Sequence, residues 1–248
     1  TLTAHEQNLF ASMIDDWINA LRRGRADDQF QEELLEVLDR FQIPIWPWEK
    51  LAAAMTYDLY HNGFATFHKF LRYTEGAAIA PAAVFMHLCG VAPTDGGYRP
   101  AAFDIRREAR PLAVFSYLVH IMRDFQKDQH DHLNYFADNI VAEEGLTERD
   151  LREVAGDGPI TRPLRDLFAR YKAIADYYRR MSRASLDVLM PRLAPRYQLS
   201  LEVIYTLYLQ IFERVNPGTG TFTGVELNPT PDEIQQRIDR TIDAFRPR

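Results

Sequence analysis

The feature that most constrains this chain is the spacing of its apolar residues. They recur at intervals of three and four along most of its 248 residues, and the alternation of a half-buried strand is almost missing. Thr3 and Glu6 form a capping-box pair ahead of Leu9, Phe10, Met13, Ile14, Trp17, Ile18 and Leu21, one stripe of one helix. A second stripe, Phe30, Leu34, Val37, Leu38 and Phe41, stops at Pro44-Ile45-Trp46-Pro47, since proline disfavours helix in the residue before it. Helix resumes over Trp48 to Tyr60 and again from Phe64 to about Leu88, with a kink expected at Pro81. Ala92 to Gly97 reads as a loop by its breakers. Pro111 sits near the start of a long helix expected to reach Phe136. A short helix follows Thr147, whose capping partner is Asp150. Runs over Pro163 to Leu189, Leu201 to Val215 and Asp232 to Phe245 complete the set, with a surface loop at Asn216 to Thr230. No repeat or linker divides the chain, so the expectation is one all-α domain over 1–248 with eight to ten helices.

Composition narrows the class. With 46% hydrophobic and 26% charged residues the chain is neither disordered nor fibrous. A net charge of −6 argues against a module that lives on phosphate neutralisation, so no nucleic-acid partner is expected. The single cysteine, Cys89, excludes an intrachain disulfide and multi-cysteine metal sites, and its apolar neighbours mark a buried structural thiol. Thr1 to Phe10 lacks the basic start and apolar core of a signal peptide, which points to a cytoplasmic protein. Gly76 to Thr94 runs nineteen residues without an acidic or basic side chain, but Pro81, His87 and Pro93 make it a buried helix rather than a membrane span.

Chemistry gathers in the segment from Tyr117 to Asp131. At ~100° per residue His120, Asp124 and Asp128 fall on one stripe, with Tyr117 and Asp131 beside it, while Leu118, Met122 and Phe125 take the core side. Like charges four apart cost a helix roughly 0.2–0.5 kcal/mol, so a compensating cation is one explanation. Magnesium suits two carboxylates when a diphosphate supplies further oxygens, and Arg123 lies one residue off the stripe. A solvated acidic face is the other explanation: chance alone gives about five acidic pairs spaced by four in a chain this acidic. By spacing alone both remain open. His130 and His132 are a weaker candidate for zinc, because no further ligand cluster accompanies them.

The wider context resembles the squalene and phytoene synthase family, the head-to-head trans-prenyltransferases. Arg123, Asp124, Asp128 and Tyr135 match, in order and spacing, the family's second aspartate-rich motif and the tyrosine seven residues after it. Phe41-Gln42-Ile43-Pro44, Met55-Thr56-Tyr57-Asp58, the run Tyr73 to Ala82, Glu144-Gly145-Leu146-Thr147 and the helix with Tyr205, Tyr208 and Ile211 follow the family's order. The resemblance implies an isoprenoid-synthase-like helical bundle around a central cavity, in which two prenyl diphosphates, farnesyl or geranylgeranyl, are joined to a squalene- or phytoene-type product. It implies Mg2+ held by Asp124 and Asp128, with Arg123 as diphosphate partner. It also implies substrate contacts from Tyr73, Ala77, Ala78, Pro81, Tyr117, His120 and Tyr135. For Tyr73, Ala77, Ala78 and Pro81 ordinary core packing is an equal reading. A lipophilic product implies peripheral membrane contact. A reductive step with NADPH stays open: the sequence does not indicate it, and the absence of a Gly-x-Gly-x-x-Gly fingerprint decides nothing because the family needs none.

The chain departs from the family in four places. His120 stands where the family usually has asparagine, a better magnesium ligand. His132-Leu133-Asn134 replaces a Gly-Arg pair before Tyr135. Ile79 and Ala82 replace pocket-helix glycines. The first acidic motif is missing, and neither Asp15-Asp16 nor Asp27-Asp28 has its spacing or place. The chain begins with threonine rather than methionine, so that motif is expected upstream of Thr1. Its loss would instead mean a catalytically inactive relative acting in protein or lipid binding.

Overall fold

The computed structural model of the chain describes residues 2–248. The described residues fold as α1 (Ala4–Arg22), α2 (Gln29–Arg40), α3 (Trp46–Tyr60), α4 (Phe67–Thr74), a π-helical turn (Glu75–Ile79) and α5 (Ala80–Gly90). A two-stranded sheet of β1 (Ala92–Thr94) and β2 (Gly97–Arg99) follows, then α6 (Ile105–Arg123), α7 (Phe125–His130), α8 (Asp138–Glu143) and α9 (Glu148–Ala155). The rest is α10 (Arg162–Leu189), α11 (Pro195–Arg214), α12 (Gly224–Leu227) and α13 (Pro231–Ala244). All-α is therefore the right class, with more and shorter helices than the spacing foretold.

Two compact units share the chain: residues up to 61 together with 71–110, and residues 62–70 together with 111–248. No linker marks the division in the sequence: the chain crosses it three times, just after α3, inside α4 and inside α6.

In the first unit the capping box at Thr3 and Glu6 starts α1, as its sequence foretells. Ile18 and Leu21 pack with Ala52 of α3, and Trp17 meets Trp48 edge to face at 6.4 Å. α3 begins at Trp46 rather than Trp48, since Pro47 sits in its first turn, where no N–H is needed. The kink expected at Pro81 takes the form of the π-turn just before it. Ala80 donates its N–H to the Glu75 carbonyl five residues back, so the widened turn precedes the residue that has no N–H to give. Gly76 is needed there: a Cβ would lie 2.0 Å from the Lys50 carbonyl oxygen of α3. The loop expected at Ala92 to Gly97 is a hairpin. Thr94 pairs with Gly97 across a two-residue Asp95-Gly96 turn, a dipeptide that favours tight hairpins.

In the second unit an aromatic core of Phe125, Phe136, Phe168, Tyr171 and Phe222 lies beneath α7. The Tyr171 hydroxyl accepts the Ala137 N–H at 2.7 Å, which fixes the segment leading into α8. α8 itself was not expected. It ends in a Schellman motif, with Gly145 at φ +73 and the Leu146 N–H reaching the Val141 carbonyl, before Thr147 and Asp150 cap α9 as anticipated. α6 begins six residues earlier than expected, because Asp104 Oδ1 accepts the Arg106 and Arg107 N–H groups. Pro111 is thus inside the helix. α11 starts at Pro195, not Leu201, and the loop from Asn216 contains α12.

Candidate active site

The long helix expected to reach Phe136 breaks at Asp124. Its φ of −92° and ψ of 6° put one residue outside helical geometry between α6 and α7, although the His120 carbonyl still accepts the Asp124 N–H at 2.9 Å. This break re-aims two neighbouring side chains that a straight helix would splay apart. Arg123 forks onto Asp124, Nε to Oδ1 at 2.6 Å and Nη2 to Oδ2 at 2.8 Å.

His120, one turn back, completes a closed triad. Arg123 Nη2 lies 2.8 Å from His120 Nδ1, and a guanidinium can only donate, so Nδ1 is the acceptor and the ring proton sits on Nε2. Nε2 in turn lies 3.1 Å from Asp124 Oδ2. Burial pulls His120 below its ordinary value, against the attraction of Asp124 and with help from Arg123 and Lys127, so the ring is neutral at pH 7. Burial also pushes against ionisation of Asp124, but the Arg123 bond and the charges of His120, Arg123 and Lys127 outweigh it and hold this carboxyl low.

Asp128 is the opposite case. Its Oδ2 is buried and accepts no hydrogen bond from the described residues, and burial together with the Asp124 and Asp131 charges pushes its carboxyl up to about 6. The two aspartates one turn apart are thus in different states: one has both oxygens partnered, the other has a buried oxygen that no described residue reaches. Among the described residues no group of three or more His, Cys, Asp or Glu side chains is arranged to hold a metal ion by itself.

Tyr117 lies parallel to the His120 ring at 6.0 Å and edge-on to Tyr135 at 6.2 Å, so Tyr117, His120, Arg123, Asp124, Asp128 and Tyr135 form one neighbourhood. An open cleft of about 660 Å3 borders Arg123, Asp124, Lys127 and Asp131 on one side and Gly224 and Asn228 on the other. Asp128 does not line it. The segment between Asp128 and Tyr135 does not continue the helix. His132, where the family's Gly-Arg pair is expected, has φ +58°, a conformation glycine adopts without cost. Buried Asn134 then staples the loop, its Oδ1 accepting from Gln129 and from the Phe136 N–H.

The remaining residues singled out in the sequence belong to the first unit. Tyr73 is buried and donates its hydroxyl to Asp58 Oδ2 at 2.9 Å, beside Tyr57 at 5.5 Å. Burial raises the Asp58 carboxyl against the effect of that bond. Ala77 and Ala78 lie on the π-turn, both partly exposed, and Pro81 is exposed. Cys89 is buried and its thiol is pushed up to about 11 by burial, an inert state. His130 gives a ring nitrogen to the Ala155 carbonyl at 2.9 Å, a structural contact.

Gln126 was missed from sequence. It accepts the Gly224 N–H of α12 and donates to the Ala155 carbonyl at the end of α9, and so holds both against the helix that carries the aspartates. A lone glutamine offers no short-range signal of such a role.

The Arg-Asp-x-x-x-Asp run spans the break between α6 and α7 of a mainly helical chain, and comparison with known proteins identifies the class. The chain matches the squalene/phytoene synthase family over residues 4–229 and belongs to that family. Among curated relatives it is 24% identical to phytoene synthase 2, chloroplastic, of Zea mays over 141 residues, which covers 56% of this chain and 34% of that protein. It is 26% identical to the 15-cis-phytoene synthase of Synechococcus elongatus over 154 residues, 58% of this chain and 49% of the relative. The match thus spans from about a third to a half of those relatives. The fold resembles that of a dehydrosqualene synthase solved with a ligand, at a TM-score of 0.72 and 15% identity, over 94% of this chain and 77% of that one. It also resembles squalene synthase HpnC of Alicyclobacillus acidocaldarius, at a TM-score of 0.63 and 17% identity, over 82% and 73%.

Proposed function

We propose that the protein joins two prenyl diphosphates, farnesyl or geranylgeranyl, head to head, and that diphosphate departure is assisted at Asp124 and Asp128. The observation that carries this reading is the buried, unpartnered oxygen of Asp128 one turn from a carboxylate that holds an arginine. Paired carboxylates with an unmatched acceptor suit a hard cation such as Mg2+, which completes its shell with water and substrate phosphate. Asp124 and Asp128 would hold the ion, whose chemistry when bound is to neutralise charge on the departing diphosphate.

The other roles fall to the chain itself. Arg123 can fork onto phosphate oxygens as it now forks onto Asp124. Neutral His120 receives a hydrogen bond from Arg123 and so orients the guanidinium. Tyr117 and Tyr135 present aromatic faces that suit an allylic cation and keep water from it. The small side chains Ala77 and Ala78, with Tyr73 and Pro81, are read as substrate-lining.

No described helix is long and apolar enough to cross a membrane. Exposed Leu9, Phe10 and Met13 on α1 support peripheral membrane contact by a protein with a lipophilic product.

The test incubates the full-length protein with Mg2+ and each prenyl diphosphate, with and without NADPH, and follows diphosphate release and extracted lipids. The expected result is a C30 or C40 product that Asp124→Ala abolishes. A folded protein with no turnover on either substrate refutes the assignment and favours a non-catalytic binding member of the family.

A further inference from the structure

We infer that Arg123 is a latch on Asp124 that keeps the carboxylate pair from taking a divalent cation until a diphosphate draws the guanidinium away. The inference rests on the reading of Asp124 and Asp128 as the metal-holding pair and adds the order in which that pair is filled.

Three observations carry it. Both oxygens of Asp124 are taken, in a bidentate bond to a group that is always charged and never gives up a proton at accessible pH. A cation arriving alone must displace that guanidinium, and what Asp128 then offers in addition is a single carboxylate. The second observation is that the latch is local. Arg123, Asp124 and His120 lie within five residues of one helix end, and the hydrogen bonds of the Arg123 side chain to described residues stay inside that group, with Tyr208 of α11 adding an electrostatic attraction from outside it. The third is the accompanying charge. Lys127 makes no ion pair with a described residue and borders the same cleft as Arg123, beside Asp124 and Asp131, so an anion that reaches the cleft meets two cationic side chains, one of them not already paired to a described carboxylate.

A diphosphate offers Arg123 a better fork than one carboxylate does, because it carries more charge and several oxygens at the same spacing. Once Arg123 turns to it, the Asp124 oxygens that it held become available to a divalent cation, one turn from Asp128 and its unmatched buried oxygen. Metal and diphosphate thereby favour one another's binding, and by linkage the effect is equal in both directions. The consequence for the protein is that free cation does not preload the site.

Calorimetry with Mg2+ alone tests the latch, on the wild-type chain, Arg123→Gln, Arg123→Lys and Lys127→Gln. The expected result is that Arg123→Gln binds Mg2+ at least tenfold more tightly than wild type, and that Arg123→Gln/Asp124→Asn loses the gain. Arg123→Lys falls between, since an ammonium cannot fork. Lys127→Gln removes the same charge with no latch to open, so it gains much less. An equal gain in Lys127→Gln, or none in Arg123→Gln, overturns the latch. Binding of magnesium diphosphate to wild type, Asp124→Asn and Asp128→Asn separates the two claims. If it binds wild type and both variants weaken it, a failed latch leaves the site standing. If wild type does not bind it, the site and the latch fall together. Thermal melts of each variant confirm that the chain remains folded.

Discussion

Arginine grips a carboxylate at both ends of α6, and the two grips are built differently. Near the start of the helix Arg106 and Arg110, one turn apart, both reach Glu75 of the π-turn, at 2.7 Å in the case of Arg106. That carboxylate is 13% exposed and its partners come from a segment more than thirty residues away in sequence. At the far end Arg123 grips its own neighbour Asp124. The first arrangement ties one element to another; the second ties a residue to the next residue. An ion pair between elements contributes to the fold, whereas one within a single turn can open and close at little cost to it. The difference separates a structural carboxylate from an exchangeable one, although both look alike as charge pairs.

The largest expected effect breaks the comparison at its second end. Asp124→Asn and Asp128→Asn should each lower diphosphate release by about a hundredfold or more, the scale of losing a group that acts on developing charge. Neither should unfold the chain: at neutral pH Asp128→Asn should melt at or above the wild-type temperature, since it removes a carboxylate whose ionisation burial opposes, and Asp124→Asn only slightly below it. A large loss of stability in Asp124→Asn would place this carboxylate with Glu75 as a structural residue.

Glu75→Gln should do the reverse. It leaves two arginines without their shared partner in a mostly buried place, and with half-exposed guanidiniums the cost is about 1–2 kcal/mol. That corresponds to a melting temperature lower by about 2–8 °C. Specific activity per folded molecule should change little, and denaturant unfolding alongside turnover reads both quantities at once.

A third test uses pH. The Asp128 carboxyl is raised to about 6 from an unfolded value near 3.8, so between those values the folded chain binds more protons than the unfolded one. Stability therefore falls as pH rises from about 4 to about 6, the opposite of a salt-bridged carboxylate. Asp124 is held low and contributes in the other direction, its stabilisation lost as pH drops below the usual carboxylate range. Chemical denaturation across that window should show the Asp128 slope in wild type and lose it in Asp128→Asn.

How much of this was legible in the sequence follows from the range of the forces involved. The capping boxes at Thr3 and Thr147 and the stripe of α1 depend on residues three or four apart, and they were read correctly. So was the family, from the order of its motifs. The helix start at Ile105 and the end at His130 were not: the first depends on an Asp104 cap, the second on a loop stapled by Asn134 and anchored through Tyr171 from α10. The β1–β2 hairpin was hidden because six residues are too few to show alternation. At the site, spacing placed Asp124 and Asp128 on one face, but nothing in it distinguished a partnered carboxylate from an orphaned one. That distinction arises from a one-residue break in helical geometry, which no periodicity reports.

The smallest expected effect lies just beyond that break. His132 holds φ +58°, a conformation that costs an ordinary L-residue about 1 kcal/mol and glycine almost nothing. Its backbone is committed, since its carbonyl accepts from Asn62 and its N–H donates to the Gln129 carbonyl, so the turn cannot relax to a negative φ. His132→Gly should therefore stabilise the chain by about 0.5 kcal/mol, the relief of strain being offset in part by the greater freedom of glycine in the unfolded chain. His132→Ala keeps the strained φ and removes only the ring, so it should gain nothing. Equal stability in the two variants would mean that the turn costs the chain nothing. A gain confined to glycine would explain on conformational grounds why a Gly-Arg pair is the family's choice at this turn, independently of any contact that residue makes with substrate.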